Sequence, residues 1–174
     1  LFQSIFSDSR HKYVTGLSFR YDDYNEIFYP TDDYHTEIVP GAFFEYSYIP
    51  DDRFTLVAGV RADNHNIHGL LFNPRLHLRY APAEQTVIRA SGGSGMRQPM
   101  PFAENLGWMA SSRNWIVPGG PQSNLSPLPY GLEMERAWNI GASFTQEFIL
   151  DYRSGLLSLD FFHTNFQDRV VADL

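Results

Sequence analysis

Apolar and polar side chains alternate with a period of two residues along almost the whole chain, and this pattern constrains the fold more than any other feature. In the segment 54–63, FTLVAGVRAD, every second residue is apolar, whereas those between are mostly polar or glycine. The same alternation recurs in 74–80, 88–91, 138–145 and 157–162. Because successive side chains of a β-strand point to opposite faces, the pattern predicts β-sheet and argues against helices.

Turn signals divide this alternation into about seven predicted strands. They span 12–23, 36–49, 54–64, 71–80, 86–96, 135–149 and 156–170. Many reach the ~9–11 residues with which a tilted strand crosses a bilayer. Short turns alternate along the chain with the connections 24–35, 64–70 and 97–134, of which the first is expected to be loose and the last is very long. Short turns at one end and longer loops at the other are typical of outer-membrane barrels. We therefore expect an all-β fold, an antiparallel up-and-down meander that is part of a large transmembrane β-barrel.

Composition excludes several other classes of protein. Phe, Tyr and Trp make up 16% of the chain, which argues against disorder, and no apolar run reaches the ~18 residues of a transmembrane helix. The net charge of −7 and the absence of a basic run argue against a nucleic-acid partner. Cysteine is absent, and no Ser/His/Asp order has a catalytic signature. We expect no catalytic residue, no bound cofactor and no metal site.

A soluble antiparallel β domain would also alternate, so the choice between it and a membrane barrel depends on two further features. Twelve of the 13 basic residues are arginine, and several lie on the polar faces of predicted strands. Aromatic residues gather beside the short turns, as in the belt of a membrane interface: Tyr46, Tyr48, Tyr80, Phe148 and Tyr152. These features favour the membrane barrel, and the alternative is a soluble carbohydrate-binding domain that stacks sugars on Trp108 and Trp115.

Several segments resemble, in their order along the chain, the barrel of TonB-dependent outer-membrane receptors. These are 40–46 (PGAFFEY), 54–65, 72–80, 88–91, 95–99 and 135–141 (ERAWNIG), and 102–107 with 111–113 is similar to the Bacteroidetes branch. The resemblance implies a bacterial outer-membrane location among lipid and active uptake of a scarce solute such as a ferric siderophore. It also implies a barrel of ~22 strands filled by a plug domain of the same full-length chain, with TonB acting through that plug. A passive porin-like barrel is the alternative within the membrane class.

The resemblance also has gaps. Nothing in the chain is similar to the plug, and seven strands is an odd number, whereas bacterial single-chain barrels have even numbers. We therefore expect residues 1–174 to be a partial barrel without its plug. Many family members carry a plug-facing Glu at the position of Asn139, for which Glu135 is the nearest substitute.

Arginines on the predicted lumen face are the first candidate binding residues. Arg61, Arg75, Arg79 and Arg89 lie on the polar faces of three consecutive predicted strands. Guanidinium groups bind carboxylates and phosphates through two hydrogen bonds. The set is either a basic wall that binds an anionic small-molecule cargo or a ladder paired with Asp63, other lumen acids or the plug.

The long connection 97–134 is the second candidate region. The connection has nearly forty residues without a clear strand, which is longer than a passive connector needs, and six prolines limit its conformational freedom. We expect an extracellular flap that contacts cargo through Arg97, Trp108, Arg113 and Trp115.

Two further groups are expected to be structural. His65 and His68 lack the spacing of metal ligands and are expected to lie in a solvated loop. The glycine-rich segment 92–95 ends a predicted strand, and we expect it to bend the strand or to let a neighbour approach closely.

Overall fold

The computed structural model describes residues 2–5, 9–28, 31–109 and 128–171, and these form one antiparallel sheet. Its strands are β1 (Phe2–Ile5), β2 (His11–Phe28), β3 (Thr31–Asp51), β4 (Phe54–His65), β5 (Gly69–Ala83), β6 (Thr86–Arg97), β7 (Glu135–Leu150) and β8 (Arg153–Gln167). The strand order runs from β1 to β8, so each strand pairs with its neighbours in sequence. The predicted all-β, up-and-down meander is confirmed.

Two details of the predicted meander are wrong. The described residues form eight strands and not seven, because the four-residue β1 is too short to show alternation, and the argument from an odd number therefore fails. The loose connection expected at 24–35 is mostly sheet, with a register that runs from Tyr24 opposite His35 to Phe28 opposite Thr31. Backbone hydrogen bonds extend this hairpin although its side chains lack a clear apolar alternation.

The register separates an apolar face from a polar face across the whole sheet, as the alternation predicts. On the apolar face, Leu56 lies opposite Tyr48 of β3 and Leu78 of β5. Large side chains on this face are exposed: Leu17 is 86% and Phe161 60% accessible. An exposed apolar face of this extent is typical of a surface that another apolar phase or partner covers.

On the polar face, glycines make room for long side chains of the neighbouring strands. Arg75 lies opposite Gly59 on one side and Gly93 on the other. A Cβ at Gly59 would lie 2.9 Å from Nε of Arg75, and one at Gly93 would lie 3.3 Å from its Cβ. The close approach predicted for the segment 92–95 is confirmed at Gly93.

The connection between β6 and β7 contains the helical elements. Two short helices, α1 (Pro101–Glu104) and α2 (Leu106–Met109), follow β6, and a 3₁₀ turn at Pro129–Gly131 precedes β7. The rings of Phe102 and Tyr130 pack edge to face with centroids 5.4 Å apart, and both residues are buried. The two ends of the connection therefore pack on each other. No helix in the described part of the chain is long and apolar enough to cross a membrane.

Candidate functional site

The structure places five of the eight sequence-predicted site residues on the sheet: Arg61, Arg75, Arg79, Arg89 and Arg97. The backbone of Trp108 belongs to α2, but its side chain lies outside the described atoms. Arg113 and Trp115 lie outside the described residues. The flap formed by these last three residues stays a prediction.

The polar face has two ends, and we name them by their connections. The loop end is where β2 joins β3, β4 joins β5 and β6 joins β7, and the turn end is where β3 joins β4, β5 joins β6 and β7 joins β8. Arg61 and Arg97 lie toward the loop end, whereas Arg79 and Arg89 lie toward the turn end.

At the loop end, Arg61 is held by a carboxylate. Its Nε donates to Oδ2 of Asp63 at 2.7 Å, and its second guanidinium nitrogen donates to Ser18 Oγ at 2.9 Å. Asp63 is 7% exposed and lies over Gly41, where a Cβ would approach Oδ1 to 1.9 Å. The pair with Asp63 that the sequence left open is therefore present.

Arg20 makes a similar pair with a more deeply buried carboxylate. It donates to Oε2 of Glu37 at 2.5 Å, and its Nε lies 3.1 Å from Asp22. Glu37 is 1% exposed, and Nε2 of His65 and Nε2 of His35 each lie 3.7 Å from one of its oxygens. This cluster was not predicted from the sequence.

His65 is 2% exposed, so the expectation of a solvated loop is wrong for this residue. The cause is Asn66, which hydrogen-bonds the edge of β3 with three groups: its backbone N–H and its side chain bind the backbone of Ile38, and its side-chain amide donates to Thr36 O. The β4–β5 turn is thereby held against β3, and His65 is buried beside Glu37.

The His65 cluster has the residue types but not the protonation of a metal site. The backbone N–H of Ile67 donates to Nδ1 of His65 at 3.2 Å, so the ring proton of the neutral imidazole lies on Nε2, which faces Glu37. A metal ligand needs that nitrogen without its proton. Among the described residues, no group of three His, Cys, Asp or Glu side chains is arranged to hold a metal ion.

Arg97 anchors the root of the long connection. Its Nε donates to Glu135 at 2.6 Å, and its terminal nitrogen donates to Glu104 of α1 at 3.0 Å. Glu135 is 4% exposed and also accepts the backbone N–H of Val170 at 2.8 Å. Asn139, which lies on the same strand as Glu135, accepts a hydrogen bond from Thr164 Oγ1 at 2.6 Å. Two carboxylates thus bind the guanidinium group of Arg97, for which the sequence predicted a contact with cargo.

At the turn end, the register places two arginines directly opposite each other. Arg79 and Arg89 form this pair, and among the described residues Arg79 donates only to the backbone oxygen of Asp52, at 2.9 Å. Within the described part of the chain, Arg89 has no hydrogen bond or ion pair. Both residues line a cavity of about 290 Å³ that also contacts Ser143 and Asp160. Arg75, which lies on the same strand as Arg79, is instead bonded to Glu45.

Comparison with family models decides which kind of barrel this is. The model described as "TonB dependent receptor-like, beta-barrel" matches residues 2–174. The chain belongs to the TonB-dependent receptor barrel family. No curated protein and no solved structure matched it.

Membership places this TonB-dependent receptor barrel in the bacterial outer membrane and in a family of transporters and receptors. It implies a plug domain and an interaction with TonB in the full-length protein. The assignment to the Bacteroidetes branch stays a prediction.

Sequence reasoning missed the part of the receptor wall formed by Glu37, His65 and Gln98. The only signal for it was the alternation of His35, Glu37 and Val39 on the polar face of β3, in which Glu37 and Val39 lie inside the predicted strand and His35 lies one residue before it. The proximity of the three residues depends on the fold of the β4–β5 turn, and no local pattern encodes that fold.

Proposed function

We propose that residues 1–174 are a partial barrel, the wall of an active importer that takes up a scarce anionic solute such as a ferric siderophore. Its apolar face contacts outer-membrane lipid, and its polar face meets the plug domain of the same full-length protein, through which TonB acts. Support comes from the family match, the linear strand order and the exposed apolar face.

The arginine pair at the turn end is the observation that favours an anionic cargo. Like charges directly opposite each other on neighbouring strands are destabilising, and no carboxylate in the described part of the chain is bonded to Arg79 or Arg89. An anion that accepts from both guanidinium groups would remove this repulsion. Arg61, Arg75 and Arg97 are bonded to carboxylates, so we propose that they support the wall and that the pair contacts cargo.

The flap stays part of the proposal. Arg97 fixes its root through Glu104 and Glu135, whereas Trp108, Arg113 and Trp115 are proposed to contact cargo from the middle of the connection. An aromatic ring beside a guanidinium group suits a chelate that is both aromatic and anionic.

The test is uptake of ⁵⁵Fe from catecholate, hydroxamate and citrate chelates by cells that express the full-length receptor in a deletion background. We expect the cells to take up at least one chelate and a protonophore to stop this uptake. In the double variant Arg79→Gln/Arg89→Gln, we expect uptake to fall at least tenfold. Arg53→Gln, an exposed arginine of the β3–β4 turn, is the matched control.

Each other outcome contradicts part of the proposal. Uptake that continues with a protonophore would favour the passive porin-like barrel. Wild-type uptake in the double variant would remove the pair from cargo binding, and no uptake of any chelate would exclude a siderophore as cargo.

A further inference from the structure

A second cavity lies at the loop end of the polar face and has a different chemistry from the arginine pair. It measures about 560 Å³ and lies between the ends of β2, β3 and β4 and the root of the long connection. Its polar lining includes the three arginines Arg20, Arg61 and Arg97 together with Glu37, Asp63, His65 and Gln98. Val39, Leu71 and Met134 contribute apolar surface.

Four of its lining residues carry buried polar atoms that make no hydrogen bond within the described part of the chain: Oε1 of Glu37, Oδ1 of Asp63, Nε2 of His65 and Nε2 of Gln98. Glu37 and Asp63 each offer an acceptor. His65 offers a donor, because its other ring nitrogen accepts from Ile67, and Gln98 offers the N–H groups of its amide, whose oxygen is bonded to His68. A buried polar atom without a partner is costly, so an arrangement of two acceptors and two donors around one cavity indicates a ligand.

The charges of the lining exclude an anion as the preferred ligand. Each arginine of the cavity is already bonded to a buried carboxylate: Arg20 to Glu37, Arg61 to Asp63 and Arg97 to Glu135. These pairs also balance the carboxylates that a cation would need. The cavity therefore offers a ligand both hydrogen-bond donors and hydrogen-bond acceptors, while the charges of its lining balance one another.

We propose that this cavity binds a small neutral ligand that carries several hydroxyl groups. A hydroxyl both donates and accepts, so neighbouring hydroxyls satisfy the Glu37 and Asp63 acceptors and the His65 and Gln98 donors together. The apolar part of the lining packs against the C–H surface of such a ligand. The proposal is independent of the anionic cargo, since none of its residues belongs to the Arg79–Arg89 pair.

The experiment uses the full-length receptor in a detergent without a sugar headgroup and measures binding by saturation-transfer NMR and titration. Glucose, maltose and myo-inositol are the hydroxylated probes, and citrate is the anionic comparison. We expect at least one hydroxylated probe to bind and citrate not to compete for the same cavity.

A pair of glycine substitutions then locates the binding. Gly95 lines the cavity, and a Cβ there meets no atom within 4 Å, so Gly95→Leu fills the cavity without displacing the wall. Gly92 lies on the apolar face of the same strand and has only contacts of 3.8 Å, so Gly92→Leu is the matched control. We expect Gly95→Leu to weaken binding at least tenfold and Gly92→Leu to leave it within twofold.

A second pair keeps the proposal testable if Gly95→Leu fails to fold. Glu37→Gln presents its oxygen to Arg20 and places an N–H group where the open acceptor was, so it weakens binding at least tenfold. Glu45→Gln changes a carboxylate of the same strand that is also paired with an arginine but lies outside the cavity. Failure of all three probes to bind, or wild-type binding in Glu37→Gln and in a folded Gly95→Leu, would overturn the proposal.

Discussion

The two ends of the polar face use arginine in opposite ways. At the loop end, Arg20, Arg61 and Arg97 each donate to a carboxylate that is less than a tenth exposed. At the turn end, Arg79 and Arg89 face each other across neighbouring strands, and a backbone oxygen is the only acceptor bonded to either within the described residues.

This difference separates structural charges from available ones. A buried carboxylate cannot lose its cation without a large penalty, so the loop-end arginines are required by the fold. An arginine opposite another arginine contributes repulsion and no pairing, so the fold alone does not explain the turn-end pair. Residue type alone does not distinguish the two sets, because both follow the same alternation along their strands.

The largest expected effect is loss of a loop-end cation. Arg20→Gln leaves Glu37 as a buried charge without its direct partner, and we expect a loss of about 3–5 kcal/mol in the free energy of unfolding. Guanidinium unfolding of the full-length receptor in lipid vesicles measures this. Arg53→Gln, which removes an exposed arginine of a turn, is the control, and an equal effect of both variants would contradict the distinction.

The next effect tests whether both ends belong to the face turned away from lipid. Ala142 lies on the apolar face near the middle of β7, and Ala142→Arg is expected to cost about 2–4 kcal/mol at mid-membrane depth. Ser143, its neighbour, lies on the polar face between Arg89 and Asp160, so an arginine there is repelled by one cross-strand neighbour and can pair with the other, and Ser143→Arg should be tolerated. The measurement is the amount of folded receptor in outer-membrane fractions. Equal tolerance at both positions would refute the face assignment.

A smaller effect concerns the space that the loop-end pairs need. A Cβ at Gly41 would lie 1.9 Å from Oδ1 of Asp63, so Gly41→Ala must displace that carboxylate from Arg61. We expect a loss of about 1–3 kcal/mol, as for other overpacked sites. Gly92→Ala makes only ordinary van der Waals contacts, at 3.8 Å, and is the control in the same unfolding experiment. Stability equal to wild type in Gly41→Ala would show that the pair has room to shift.

Alternation was sufficient to predict the sheet, its two faces and the positions of the polar-face arginines, because a period of two fixes which side chains share a face. Arg61 and Asp63, two residues apart on one strand, were predictable as a pair for the same reason. The connection 24–35 was not, since its hairpin depends on backbone pairing between residues whose side chains show no clear pattern.

The loop-end cavity could not be predicted because its chemistry depends on residues of β3, of β4 and of the connection that follows β6. Glu37 and His65 are 28 positions apart, and Gln98 is a further 33 positions along the chain. They meet because Asn66 holds the β4–β5 turn against β3 and because the end of β6 lies over that turn. Neither contact has a spacing that a single sequence reveals.

The smallest expected effect has the opposite sign from the others and examines the turn end directly. Arg89→Gln removes one of two facing charges, so we expect it to stabilise the unliganded receptor by about 0.2–1 kcal/mol. Because Arg89 is exposed on the sheet, the gain should shrink at ~1 M salt, where the screening length is about 3 Å. Unfolding midpoints of the variant and wild type at low and high salt measure both quantities. A loss of stability, or a gain that salt leaves unchanged, would mean that Arg89 has a structural partner in the full-length receptor, and the turn end would then resemble the loop end.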